Sequence, residues 1–205
     1  MEPLTPPDAQ FRSLAYRPCE IAHRYGANVH ILADPLSLTM LAKLCSPSTR
    51  QPELNRLVGE LYRTLVHEVV ASEFPRHLLE RSTRMLQHTP QGVWRGDATS
   101  TDTAAVVVAV ARAGLMPSQV TFDFLNQLLN PEGVRQDHLA LARMVDEKGG
   151  VTGAGLYASK IGGTIDRSML LIPDPMGATG ATVSKVIEQY TPKRMATPPR
   201  SLPCI

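Results

Sequence analysis

The residues of this chain best suited to chemistry stand together in Asp174-Pro175-Met176-Gly177-Ala178-Thr179-Gly180-Ala181-Thr182. The run is a turn of mostly small residues with one carboxylate at its mouth. A loop with few side chains lets a ligand approach its backbone closely. If a helix follows, its first N–H groups are unpaired and its dipole end is positive, so the chemistry on offer is phosphate binding. An ordinary strand-to-helix turn also uses small residues, but it seldom needs a carboxylate and two threonines.

The flanks supply the elements such a loop requires. Met169 to Ile172 is a short apolar run, long enough for a buried strand. From Thr182 on, Val183, Val186, Ile187 and Tyr190 fall at i, i+3, i+4 and i+7, which predicts a helix with one apolar face. The loop is not that of the nucleoside triphosphatases, because Gly180 is followed by Ala181-Thr182 rather than by Lys and Ser or Thr. A second anion contact is expected upstream. Ala104 to Ala111 is a continuous valine-rich run, read as a central parallel strand covered on both faces. It leads into Arg112-Ala113-Gly114, and ligands bind at the carboxyl ends of parallel strands. A helix opening at Met116-Pro117-Ser118 follows, with Val120, Phe124, Leu125 and Leu128 inside.

The rest of the chain reads as scaffold. Residues 1–26 form an arm without regular structure, rich in proline at its start. Residues 27–190 form the domain, and the proline-containing residues 191–205 read as a disordered tail. Ala27 to Leu32 reads as a short strand. Asp34 and Pro35 predict an N-cap and first helical residue, with Leu36, Met40, Leu41 and Leu44 inside and Cys45-Ser46-Pro47-Ser48 ending the helix. A second helix has Leu54, Leu57, Val58, Leu61, Leu65 and Val69 inside, and Pro75 stops it. Ser82 to His88 and Gly92 to Arg95 read as two strands around Thr89-Pro90-Gln91, with Trp94 as a packing residue. Leu139, Leu141 and Arg143 alternate along a strand. A glycine-rich hairpin over 146–155 then leads to a strand at Leu156 to Lys160. Gly153-Ala154-Gly155 is a poor dinucleotide fingerprint, lacking a buried strand before it and an amphipathic helix after it.

Composition removes several classes of function. In 205 residues, 21 basic side chains nearly balance 19 acidic ones, which disfavours nucleic acid as a partner. Three separated cysteines give neither a disulfide framework nor a metal site, and suit a reducing cytoplasm. His67-Glu68 fails as a zinc-protease motif because Ala71 stands where the second histidine belongs. No apolar run approaches the ~20 residues of a membrane span.

The pattern from Asp174 to Thr182 resembles the phosphoribosyl-diphosphate loop of uracil phosphoribosyltransferases, members of the type I phosphoribosyltransferases. That family also has an Arg-Ala-Gly at the place of Arg112-Ala113-Gly114. The resemblance runs from about Val29 to Tyr190 and implies an α/β fold: a parallel sheet with flanking helices and a projecting β-hairpin. The implied reaction joins uracil to the ribose 5-phosphate of 5-phosphoribosyl 1-diphosphate, giving uridine monophosphate and diphosphate.

By the resemblance, Asp174 would bind the ribose hydroxyls and serve as the catalytic carboxylate, and Ala178, Thr179, Gly180, Ala181 and Thr182 would cradle the 5-phosphate. Pro175, Met176 and Gly177 complete the loop. Arg112 and Arg143 would neutralise the diphosphate, with Mg²⁺ carried by the diphosphate rather than by protein ligands. Tyr157 and Lys160 keep the family's spacing to Asp174. Self-association through the N-terminal helices, to a dimer or larger, is implied as well.

Three departures stand out. Gly177 and Ala181 replace a bulkier residue and a second glycine, so Ala181 is expected to be either helical or strained. Residues 191–205 show nothing like the family's C-terminal uracil-binding segment. The sheet is therefore expected to be incomplete at its C-terminal side and turnover of uracil to be weak, the alternative function being a non-catalytic remnant that binds phosphoribosyl diphosphate or another subunit.

Overall fold

A computed structural model describes residues 16–145, 151–177 and 180–191. At its centre is a four-stranded sheet in the order β5-β4-β3-β6, comprising β3 (Ala104–Ala111), β4 (Val134–Val145), β5 (Val151–Lys160) and β6 (Ser168–Leu171). β3 is parallel to both β4 and β6, and β5 is antiparallel to β4. The fold is thus α/β with a mixed sheet, parallel except for one edge strand. A separate antiparallel hairpin pairs β1 (Arg76–Ser82) with β2 (Val93–Thr99).

β3 consists of alanine and valine alone because helices cover both of its faces. Ala105 and Val107 meet Val66, Val70 and Phe74 at the C-terminal end of α2 (Glu53–Glu73), Leu125 of α3 (Leu115–Leu128), and Leu129. Val106, Val108 and Val110 turn the other way, toward Leu139, Leu170 and Val186 of α4 (Ala181–Tyr190). The alternation is the two-residue period of a strand, concealed in the sequence because both sets are apolar.

α1 (Pro35–Leu44) starts as expected. Asp34 caps it by accepting the Ser37 N–H at 2.9 Å, and Pro35 occupies the first helical position. Its expected inner face is not inside, however, since α1 has no buried residue and Leu36 is 69 % exposed. In α2 the buried line is Leu57, Tyr62, Val66 and Val70. Of the expected set only Leu57 is fully buried, while Leu54, Val58, Leu61, Leu65 and Val69 are half-buried beside that line. The apolar band of α2 is broad, and the sheet takes the side that includes Tyr62.

Other departures concern weakly buried segments. Residues 27–32 form no strand; Leu32 makes a single bridge to Glu20, with Ile21 N–H donating to the Ile31 carbonyl at 2.9 Å. The first hairpin strand lies upstream of the expected one, and Arg84–Gln87 is a 3₁₀ turn. β1 could not be read from its pattern because only Leu79 along it is even half-buried. Trp94 is 46 % exposed. Its ring lies against the α-carbon side of Gly96, where a β-carbon would stand 2.9 Å from it, and so packs on its own strand rather than in the core. β5 begins at Val151, so Gly153 and Gly155 belong to a strand and not to a hairpin loop. Residues 1–15 of the arm, 146–150 of the hairpin and 192–205 of the tail lie outside the described residues.

Candidate functional site

Two loops meet at the carboxyl ends of β3 and β6. Neighbouring strands put them side by side: Val107 of β3 pairs with Leu171 at the end of β6, and β3 runs on to Ala111. The chain then turns through Arg112 and Ala113 to Gly114, whose N–H bonds the Val110 carbonyl at 3.0 Å. Gly114 is buried against the second loop. A β-carbon on it would stand 2.9 Å from the carbonyl oxygens of both Pro173 and Val110. Real β-carbons do not come so close to backbone, so only glycine lets the Arg112 turn and the Asp174 turn lie in contact.

Arg112 is exposed at this junction; its carbonyl accepts the Leu115 N–H at 3.2 Å, and its guanidinium makes no hydrogen bond or ion pair to any described residue. Asp174, half-buried, bends its own loop by accepting the Met176 N–H at Oδ1, 2.9 Å. Its Oδ2 bonds no described residue and is the carboxylate's remaining acceptor. Pro175, Met176 and Gly177 are exposed, and nothing lies within 4 Å of where a Gly177 side chain would begin.

Beyond the loop, Gly180 is the N-cap of α4, with φ +69°, a left-handed conformation that favours glycine. Ala181 is the first helical residue. The strain considered for Ala181 therefore does not arise, because the positive φ falls one residue earlier. Thr182 lies in the first turn, where backbone N–H groups lack helical acceptors. Ala178 and Thr179 lie outside the described residues. Arg143 lies on β4 opposite Ala154, on the ribbon that β4 and β5 carry beyond the end of β3.

The sequence reading missed Tyr62. It projects from the buried face of α2, is only 8 % exposed, and lies within the electrostatic reach of Asp174. Burial first, and the Asp174 charge second, push its hydroxyl pKa well above the usual tyrosine range. An inward tyrosine on an otherwise aliphatic helix face was the available signal.

A cleft of ≈ 210 Å³ opens on the β4–β5 side of β3, lined by Ala109, Ala111, Leu115, His138, Ala140 and Lys160 among others. The cleft borders the Arg112 turn, since Ala111 and Leu115 flank that turn in sequence. Tyr157 is exposed on β5. Among the described residues no group of three or more His, Cys, Asp or Glu could hold a metal, and no helix is long and apolar enough to cross a membrane.

A mixed α/β sheet with an arginine turn and a small-residue, carboxylate-bearing loop at adjacent strand ends defines a phosphoribosyltransferase-like protein. The same fold is found in the AQ2163 protein from Aquifex aeolicus, with a TM-score of 0.59 and 20 % identity over 79 % of this chain and 69 % of that one. The family model "Uracil phosphoribosyltransferase" matches residues 31–196, and the chain belongs to that family. Comparison with curated proteins gave no match.

Proposed function

We propose that the chain binds 5-phosphoribosyl 1-diphosphate and transfers its ribose 5-phosphate unit to uracil. In this reaction the bond from C1 to the diphosphate oxygen breaks and a bond from C1 to N1 of uracil forms. Diphosphate leaves with the electron pair, and the N1 proton passes to solvent. The reading is carried by the contact of Gly114 with the Pro173 carbonyl, which holds a cationic turn beside an anionic one.

The roles follow from charge. The 5-phosphate suits the start of α4, where the positive end of the helix dipole lies and Thr182 adds a hydroxyl. The ribose hydroxyls suit Asp174, whose second oxygen also lies ready to face positive charge developing at C1. Arg112 suits the departing diphosphate, and Arg143 is assigned to the same task from the hairpin. Asp174 alone makes a poor metal site, so Mg²⁺ fits as part of the substrate, brought in on the diphosphate oxygens. Bound there, it would offset the charge of the leaving group.

Calorimetric titration with magnesium phosphoribosyl diphosphate tests the binding, and conversion of uracil to uridine monophosphate tests the reaction. Asp174→Asn should weaken binding. Thr179→Val should also do so, by roughly 1–3 kcal/mol if its hydroxyl has a desolvated partner in the complex. Unchanged affinity in both variants would remove the assignment.

A further inference from the structure

Among the described residues, the one carboxylate of the sheet interior lies toward the end of β4 remote from the candidate site. Asp137 is 1 % exposed, yet each of its oxygens accepts two hydrogen bonds. Oδ1 takes Arg135 Nε at 2.9 Å and the Gly162 N–H at 2.9 Å. Oδ2 takes Arg135 Nη2 at 3.1 Å and the Tyr190 hydroxyl at 2.8 Å. Arg135 donates further to the carbonyls of Gly163 and Thr164, at 3.1 and 3.2 Å. Gly162 admits this packing only as glycine, because a β-carbon would lie 2.6 Å from the Arg135 side chain. A single carboxylate thus fastens the connection that leads into β6 and, through Tyr190, the last turn of α4.

We propose that Tyr190 is a positioning residue for the phosphate-binding end of α4; this rests on the assignment of the 5-phosphate to that end. α4 has ten residues and one fully buried side chain, Val186. Taken alone, Val186 is a pivot. Tyr190 is four residues to one side of it, about 6 Å along the axis, and Ala181 five residues to the other, about 7.5 Å. A rigid rod held only at Val186 would turn movement at Tyr190 into slightly larger movement at Ala181. With Tyr190 bonded to Asp137, the axis is held at two points and the first-turn N–H groups keep their aim. Misaimed donors cost affinity for the group they address and not for a group held elsewhere. The 5-phosphate should suffer, and the diphosphate on the Arg112 side should not.

The test compares the full chain with Tyr190→Phe, which keeps the ring and loses only the hydroxyl. Ribose 5-phosphate and inorganic diphosphate, each with Mg²⁺, are titrated separately by calorimetry well below the thermal midpoint of both proteins. The expected result is about three- to tenfold weaker ribose 5-phosphate binding in the variant, with diphosphate binding unchanged. Hydrogen exchange without ligand should be faster across 184–188 in the variant. Equal losses for the two ligands would indicate general loosening and overturn the proposal, as would unchanged ribose 5-phosphate affinity together with unchanged exchange. If the wild-type chain binds no ribose 5-phosphate, the phosphate assignment itself falls and carries this inference with it; if wild type binds and the variant matches it, only the inference falls.

Discussion

Three glycines beside the candidate site separate distinct reasons for lacking a side chain. Gly114 lacks room: its φ of −77° suits any residue, but a β-carbon would meet two carbonyl oxygens at 2.9 Å. Gly180 has room but a φ of +69°, while Gly177 has room and no positive φ. Alanine at these positions should therefore give three outcomes. Gly114→Ala should cost about 1–3 kcal/mol of stability, as overpacking does, and should also part the Arg112 and Asp174 turns. Its affinity for phosphoribosyl diphosphate should drop by about tenfold or more, since both turns must face one ligand. Gly180→Ala should cost about 1–2 kcal/mol from the left-handed backbone, and Gly177→Ala should be near neutral. Urea unfolding and calorimetry of the three variants check the order; a Gly177→Ala loss equal to that of Gly114→Ala would contradict it. Asp174 and Arg112 were legible from sequence because residue type and place in a motif identified them. The burial of Tyr62 was not, because it depends on which side of α2 the sheet covers.

At the scale of elements, legibility followed burial. β3, α3, β6 and α4 were readable because a packed core demands apolar residues at set intervals, and the sequence displays them. α1 was readable at its start, where Asp34 and Pro35 act locally, and misread along its face, which the described chain leaves uncovered. β1 and β2 make few demands on side-chain polarity, so alternation could not reveal them. The core itself should respond strongly to truncation. Leu125, with no exposed surface between α2, α3 and β3, should cost about 2–5 kcal/mol as alanine, measured by urea unfolding. The α1–α2 junction is held differently, by Glu53 with Lys43 at 2.6 Å and Arg56 at 2.9 Å. Hydrogen bonds from Arg56 and then Lys43 hold the Glu53 carboxyl down at about 2. Because its folded pKa lies below the unfolded one, its contribution is present above about 4.5 and fades as pH falls toward 2. Because the pair lies at the surface, it should be a local effect: amide exchange near residues 43–53 should quicken between pH 4 and 2 more in wild type than in Glu53→Gln.

For the whole molecule, the described chain leaves apolar side chains in the open on α1 and the β1–β2 hairpin, with Leu36 69 % and Leu78 71 % exposed. Exposed apolar patches usually mark association, and self-association is expected through this surface rather than through the face of α2, which the chain's own sheet covers. Sedimentation at high micromolar concentration should show a dimer or larger, and Leu78→Asp should shift it toward monomer. At alkaline pH a different property of the fold emerges. Burial and neighbouring carboxylates raise the hydroxyls of Tyr62 and Tyr190, and Tyr16, bonded to Glu68, is raised to about 12. These tyrosines ionise more readily unfolded than folded, so their stabilisation is complete below about pH 10 and is lost as pH rises through the folded values. Urea midpoints should fall above pH 10, and less steeply in Tyr190→Phe. Trp94 adds a practical consequence. It is the single tryptophan of the chain, half open to water on the hairpin, on strands paired only with each other and not on the site-bearing sheet. Intrinsic fluorescence should accordingly be silent to phosphoribosyl diphosphate and sensitive to protein concentration: emission near that of indole in water when dilute, moving to shorter wavelength as a second copy covers the ring. Optical titrations of this protein would then report assembly, leaving heat as the signal for ligand.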